Sequence, residues 1–302
     1  MKTHCLPLVF LASVIVSFAC SRPPEPQEPV LLRENWAIQS SAAVGESGSV
    51  ISTTAFKPEN WYPATVPSTV LGTLVENKVY PDPYFGTNIL KIPGYITKWP
   101  PIVPDDSPFK VSWWYRTEFH LPAGNGAKNT WIRFHSINYK ANIWLNGSLI
   151  ADTASVQGAY RIYDLNITDY AKPGEINCLA LEIFPPERFD LTIAWVDWNP
   201  TPPGRGMGIW YDVTVRSTGP VTVKNPQVIT KLNLPSTDQA RLTIASEVEN
   251  LTDGKIKGKL KGTIDNIVFT QEVTLGPKES KKVVFDPSDF SQLVISEPRL
   301  WW

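Results

Sequence analysis

The chain has 302 residues, of which 42% are hydrophobic and 19% charged, with 12 Trp and 28 Pro. That balance excludes a disordered polypeptide and allows one large or two ordinary domains. A net charge of −1 without a basic stripe gives no ground for a nucleic-acid partner.

The N-terminus reads as a targeting segment. Residues 6–18 form an uncharged apolar run, shorter than the roughly 20 residues of a membrane span. The run therefore predicts a signal-peptide core. It ends in Ser17-Phe18-Ala19-Cys20, a sequence similar to a bacterial lipobox, in which Cys20 is acylated and begins the mature chain. Phe18 is bulky for that motif, so ordinary cleavage near Ala19 is the other route. Residues 1–20 are then the signal peptide and 21–30, with four Pro, an extended tether. The expected location is periplasmic or cell-surface, with the lipid as the sole membrane contact. Once Cys5 leaves with the signal, Cys178 is the only thiol in the main body and cannot form an internal disulfide.

From Leu31 the chain patterns as all-β. Residues 68–77 predict one short helix, with Ser68 as N-cap, Val70, Leu71, Leu74 and Val75 as the apolar stripe, and Asn77 at the end. In 113–119, Trp113, Tyr115, Thr117 and Phe119 fall on one face and Trp114, Arg116 and Glu118 on the other, the mark of a half-buried strand. Residues 131–135 and 141–146 alternate in the same way, and Asn146-Gly147 predicts a hairpin turn. Leu179, Leu181 and Ile183 line one strand face, and Tyr211, Val213 and Val215 another. Near 217–220 the composition changes: Trp vanishes until Trp301 and Lys becomes frequent. Strands predicted at 221–231, 241–249, 262–275 and 281–285 suggest an immunoglobulin-like sandwich over 219–302. Helix-strand alternation of the (β/α)8 kind, which needs about 250 residues, does not occur.

Metal chemistry has little support. His4, His120 and His135 are scattered, and no Cys or carboxylate cluster has ligand spacing. Phosphate loops and nucleophile elbows are likewise missing, and no cofactor is expected. Three loop-like segments combine aromatics, Pro and Asp: 80–86, 138–140 and 195–210. In the third, Asp197 stands between Trp195 and Trp198, an arrangement suited to sugar. The carboxylate accepts from two hydroxyls and the rings cover the pyranose. A Trp-walled loop that only packs on the sandwich is the competing reading.

Several ordered strings carry a family resemblance: 61–71 (WYPATVPSTVL), 80–86 (YPDPYFG), 113–119 (WWYRTEF), 138–147 (NYKANIWLNG), 164–168 (DLNIT), 208–213 (GIWYDV) and 297–302 (EPRLWW). Together they resemble family 2 glycoside hydrolases, most of all the exo-β-D-glucosaminidase branch, with β-mannosidases next. The resemblance implies a jelly-roll (galactose-binding-like) β-sandwich over 31–218 followed by the immunoglobulin-like one. It implies a sugar-holding loop in which Asp197 accepts hydroxyls, Trp198 and Trp195 form walls and Asn199 is a third contact. Tyr80, Asp82 and Tyr84 would line the rim, while Asn138-Tyr139-Lys140 would be structural and 164–168 a turn cap. The expected ligand is carbohydrate ending in β-linked glucosamine or mannose.

The family's retaining mechanism needs two carboxyl groups about 5 Å apart. The resemblance puts both on a barrel that follows the second sandwich. The expectation is therefore a non-catalytic front part whose intramolecular partner is that barrel. A free-standing carbohydrate-binding surface lipoprotein and a surface adhesion protein are the alternatives. The apolar ending at Trp301-Trp302 favours the first reading.

Overall fold

The computed structural model describes residues 28–95, 104–123, 129–187, 189–192 and 202–301. In chain order the first part carries β1 (Val30–Leu31), β2 (Trp36–Ser40), α1 (Gly48–Ile51), β3 (Tyr62–Ala64), β4 (Ser68–Thr69), α2 (Val70–Glu76), β5 (Trp113–His120), β6 (Asn129–Phe134), β7 (Lys140–Leu145), β8 (Ser148–Ala151), β9 (Tyr163–Asn166), β10 (Ile176–Phe184), β11 (Gly208–Ile209) and β12 (Val213–Thr218). The second part carries β13 (Val221–Leu232), β14 (Gln239–Asn250), β15 (Ile256–Ile264), β16 (Ile267–Leu275), β17 (Ser280–Phe285) and β18 (Val294–Ser296).

The first part is a two-layer sandwich. Six strands in the order β3-β2-β5-β10-β7-β8 form one sheet, and four in the order β1-β12-β6-β9 form the other. Period-2 alternation explains the layering. Ile38, Tyr115, Leu181 and Ile143 stand opposite one another across four antiparallel strands, and all are fully buried. They share one core with Val213, Phe134 and Tyr163, which form a matching row on the other sheet. Each such side chain stabilises the fold by about 1.5–3 kcal/mol through apolar burial.

Strand β5 departs from the half-buried expectation, because Trp114 and Arg116 on its second face are buried too. Residues 41–61, with α1, lie over that face. Ile51 packs on Trp114 and Ala180, and Gly48 comes so close that an added Cβ would sit 2.3 Å from the Trp144 ring. Arg116 holds the cover down. Its Nε donates to the Ile51 carbonyl at 3.0 Å, and one terminal nitrogen donates to the Thr53 and Phe56 carbonyls at 3.0 and 3.3 Å. A side chain that looks solvent-facing in the strand pattern is thus the anchor of a neighbouring segment. Cys178, also on this face, is fully buried.

Other expectations shift by small amounts. The N-cap of α2 is Thr69, whose hydroxyl accepts from the Gly72 amide at 3.1 Å. Ser68 is taken up by β4, where it pairs with Ile209. Asn146 and Gly147 form the β7–β8 turn with φ of 51° and 91°, both positive as that hairpin requires. Tyr211 lies before β12 and is exposed, its ring 5.1 Å from that of Trp210. Asp164 belongs to β9 and accepts from Arg133 and Arg216 at 2.8 and 2.7 Å. The Asn166 carboxamide just after it does make the expected turn, accepting from the Thr168 amide.

The second part has its own core, built from Leu242, Val248, Phe269, Val273, Leu275, Val283, Phe285 and Leu293. Strand β14 pairs with β13 on one side and with β17 and β18 on the other. Strands β15 and β16 form a separate hairpin. The stretch read as one strand over 262–275 is therefore two half-hairpins that meet at Asp265, where φ is 48°.

Between the two cores lies a small polar seam. The Trp131 indole has the Arg216 guanidinium 5.4 Å and the Lys224 ammonium 4.6 Å from its ring centroid. Its Nε1 donates to the Thr218 hydroxyl, and Asn129 donates to the Gly219 carbonyl. Lys224 is itself paired with Glu249 at 2.6 Å.

Candidate functional site

The links β6–β7 (135–139) and β8–β9 (152–162) and the described residues 189–192 and 202–210 meet at one end of the first sandwich. Their contacts are specific. Ser136 donates to the Ala159 carbonyl, the Gly158 amide donates to Tyr139, and Trp210 Nε1 donates to Ala159 at 3.1 Å. The rings of Tyr160, Trp210 and Tyr211 follow one another edge to face at 5.5 and 5.1 Å. This geometry suits aromatic pairs.

Trp195, Asp197, Trp198 and Asn199 lie outside the described residues, as does Cys20. The chain on either side of them is described. Thr192 is the last residue before the gap and 202–207 the first after it. Both ends converge on Asn138, which is fully buried. The Asn138 Oδ1 accepts from the Thr192 hydroxyl at 2.7 Å, and its Nδ2 donates to the Arg205 carbonyl at 3.1 Å. Its backbone exchanges two 2.9 Å bonds with Gly208. Gly208 has φ of 149°, and a Cβ there would stand 2.6 Å from the Tyr115 hydroxyl, so only glycine fits.

A charged group surrounds the same end. Lys140 lies 3.6 Å from Asp190 and 3.9 Å from Glu187, and the Glu187 amide donates to Asp190. Burial pushes the Arg205 guanidinium down, while the carboxylates of Asp190 and Glu187 oppose that shift. Of the two carboxylates facing Lys140, Asp190 is largely buried and Glu187 is exposed. Among the described residues no group of three or more His, Cys, Asp or Glu is placed to hold a metal.

Of the rim residues, Tyr80 is half-buried with its ring 6.2 Å from Phe109. Burial raises its hydroxyl pKa, and Tyr62 adds to the rise. Phe109 in turn borders Gly204, so Tyr80 connects to the downstream foot of the loop. Asp82 accepts from the Tyr84 amide at 2.9 Å and caps its own turn. The Tyr84 side chain is 97% exposed, with Phe85 beside it at 76%. Sequence reasoning missed the grouping of Thr192, Arg205 and Gly208 around Asn138. The one available signal was a polar residue between Ile137 and Tyr139 where the pattern calls for burial.

The first part is a β-sandwich of two antiparallel sheets, and residues 36–193 match the family described as "Glycosyl hydrolase 2 galactose-binding domain-like", which makes it a sandwich of the galactose-binding-like class. The chain belongs to glycosyl hydrolase family 2. Its relatives include the exo-beta-D-glucosaminidase of Streptomyces avermitilis, 35% identical over 269 residues, which are 88% of this chain and 28% of that protein. The mannosylglycoprotein endo-beta-mannosidase of Lilium longiflorum is 25% identical, over 90% of this chain and 30% of its own. Among solved structures, the Amycolatopsis orientalis exo-chitosanase CsxA superposes with a TM-score of 0.77 at 32% identity, covering 91% of this chain and 30% of that one. The chain thus spans less than a third of the length of the relatives it matches.

Proposed function

We propose that this chain is the sugar-recognising, non-catalytic N-terminal part of an exo-β-glucosaminidase-type glycosidase, made of a sandwich over 31–218 and a second over 219–302. Its contribution is the loop carrying Asp197, which accepts hydroxyl hydrogen bonds from a terminal β-linked glucosamine or mannose. Trp195 and Trp198 cover the apolar face of the ring, Asn199 adds a polar contact, and Tyr80, Asp82 and Tyr84 lie along the rim. Bond cleavage falls to a barrel that supplies both carboxyl groups. In the same proposal, the chain is exported and held to a membrane by an acyl group on Cys20.

The observation that carries the proposal is the 35% identity to exo-beta-D-glucosaminidase across 88% of this chain. Local support comes from Thr192 and Arg205, the described residues that bracket Asp197 in sequence, which both hydrogen-bond the Asn138 side chain.

The test uses the 302-residue chain itself. Titration with methyl β-glucosaminide, followed by ligand-observed NMR, is expected to show weak binding that Asp197→Ala abolishes. Aryl β-glucosaminide is expected to release no phenol. Binding unchanged by Asp197→Ala removes the loop assignment, and turnover that a point change within 31–302 abolishes removes the non-catalytic reading. Mass measurement of the native mature protein reports whether Cys20 is its acylated first residue.

A further inference from the structure

We propose that the second sandwich takes one further β-strand along the free edge of β15, supplied by polypeptide outside residues 1–302 of a longer protein. That source rests on the proposed function above, which makes this chain part of a larger glycosidase. The open edge and the cleft beside it stand on geometry alone.

The second sandwich is closed on one side and open on the other. On the closed side β16 lies against β17. On the open side β13 is the edge of one sheet and β15 the edge of the other. Between them is a cleft of about 190 Å³, bordered by Val221 and Val223 of β13, Ile256 and Leu260 of β15, and Val273 and Leu275 of β16. Val223 stands opposite the buried Val248 on the core side of its sheet and is nevertheless 51% exposed. Lys259, on the other face of β15, also borders the cleft, so the cleft runs out to the β15 edge.

Two strands alone make a marginal sheet, and among the described residues β15 and β16 pair only with each other. Their turn, Asp265 and Asn266, closes on the Ile264–Ile267 pair. A two-residue turn closes on a hydrogen-bonded pair, and bonded and non-bonded pairs alternate along an antiparallel ladder. Lys257, Lys259 and Lys261 therefore turn their amides and carbonyls away from β16, towards the open edge. An added strand takes hold of such a row through its own main chain.

The cleft also limits what the occupant is. Facing sheets pack about 10 Å apart, and a strand set about 4.8 Å from β15 keeps that layer intact. A helix, about 10–12 Å across with its side chains, would displace it. The inner residues of the strand are apolar, to cover Val223, Ile256 and Leu260. Its outer residues are acidic or neutral, because the outer face of β15 carries exposed Lys257, Lys259 and Lys261. A second copy of this chain fits poorly, since two β15 strands paired about a two-fold axis would set one lysine row against the other.

The test compares backbone hydrogen exchange in the 302-residue chain and in the full-length protein. Peptides covering 256–264 are expected to exchange about tenfold more slowly in the full-length protein, the factor that one ladder hydrogen bond is worth. Those covering β14, already paired on both sides, should not differ. A variant separates pairing from mere cover. Lys259→Pro removes one outward amide, which a free edge tolerates and a paired strand does not. It should leave exchange in β16 of the 302-residue chain unchanged and abolish the extra protection in the full-length protein.

Equal exchange of 256–264 in both proteins overturns the proposal, as does extra protection that survives Lys259→Pro. Protection that grows with the concentration of the 302-residue chain assigns the edge to a second copy and overturns it too. Hydrolysis of aryl β-glucosaminide by the full-length protein keeps the two readings apart. Hydrolysis without protection of β15 removes the strand and leaves the proposed function, whereas protection without hydrolysis does the reverse.

Discussion

Replacing Arg116 with Met tests how the outer cover of the first sandwich is held. The guanidinium side chain is only 6% exposed and gives three hydrogen bonds to carbonyls of the 41–61 segment. Bonds from a charged donor contribute about 1.5–3 kcal/mol each, so the gross loss is roughly 5–9 kcal/mol. Methionine fills much of the same volume and spares the cost of burying a cation, which offsets several kcal/mol of that loss. A net destabilisation of about 2–4 kcal/mol remains, because the Ile51, Thr53 and Phe56 carbonyls are left without their donor. For a unit of this size that corresponds to a fall in Tm of about 5–15 °C.

Thermal unfolding followed by near-UV circular dichroism reads the total effect. Hydrogen exchange with mass spectrometry reads its location. Peptides covering 44–56 are expected to exchange faster, while those covering β10 keep their protection. A Tm within about 1 °C of wild type would refute the reasoning. So would faster exchange spread evenly over the sandwich, since the anchor would then not be local.

Two further perturbations probe other contacts. Burial would by itself raise the Asp164 carboxyl, but hydrogen bonds from Arg133 and Arg216 outweigh it and hold the group below its ordinary value. Such a group contributes stability that is complete above the unfolded pKa of about 3.9 and is lost as pH falls through the lower folded value. Asp164→Asn is therefore expected to flatten the acid limb of stability and to cost about 1–3 kcal/mol at neutral pH, discounted because the site is partly exposed. Denaturant melts between pH 3 and 7 would contradict this if both proteins lost stability in parallel. Gly48→Ala should lower stability by about 1–3 kcal/mol through overpacking against Trp144. Gly45→Ala is the control, since nothing lies within 4 Å of its added methyl. Equal melting temperatures for the two variants would dismiss the clash.

Much of the fold was legible in the sequence because alternation reports burial directly. The rows through Tyr115 and Leu181 appear in the structure on the faces that the pattern assigned, as do Val213 and Val215, whereas Tyr211 is exposed. The pattern failed where burial came from elsewhere. It read Arg116 as outward-facing because nothing in residues 113–119 reveals that a segment some 60 positions upstream will cover them. It passed over residues 256–261 of β15 because the alternation there is written in exposed Lys257, Lys259 and Lys261, with Gly258 and Leu260 between. The Ser68 cap slipped by one residue for a similar reason, since the backbone of Ser68 is claimed by a strand more than 130 positions later.

The candidate site was legible as composition and illegible as connection. Asp, Trp and Pro in one loop suggested recognition, whereas the partners of Asn138 lie 54 and 67 positions away and leave no local trace.

The seam around Trp131 has its own consequence. One cation of the second part, Lys224, rests on the Trp131 indole of the first, and among the described residues the two apolar clusters are separate. Such a joint tolerates small rotations, because a cation keeps its attraction as it slides over a ring face. It also answers to ionic surroundings more than buried hydrocarbon does. The charge of Lys224, shared between the Trp131 ring and Glu249, is thus the contact at this joint that added salt or a change of either charged residue would weaken first.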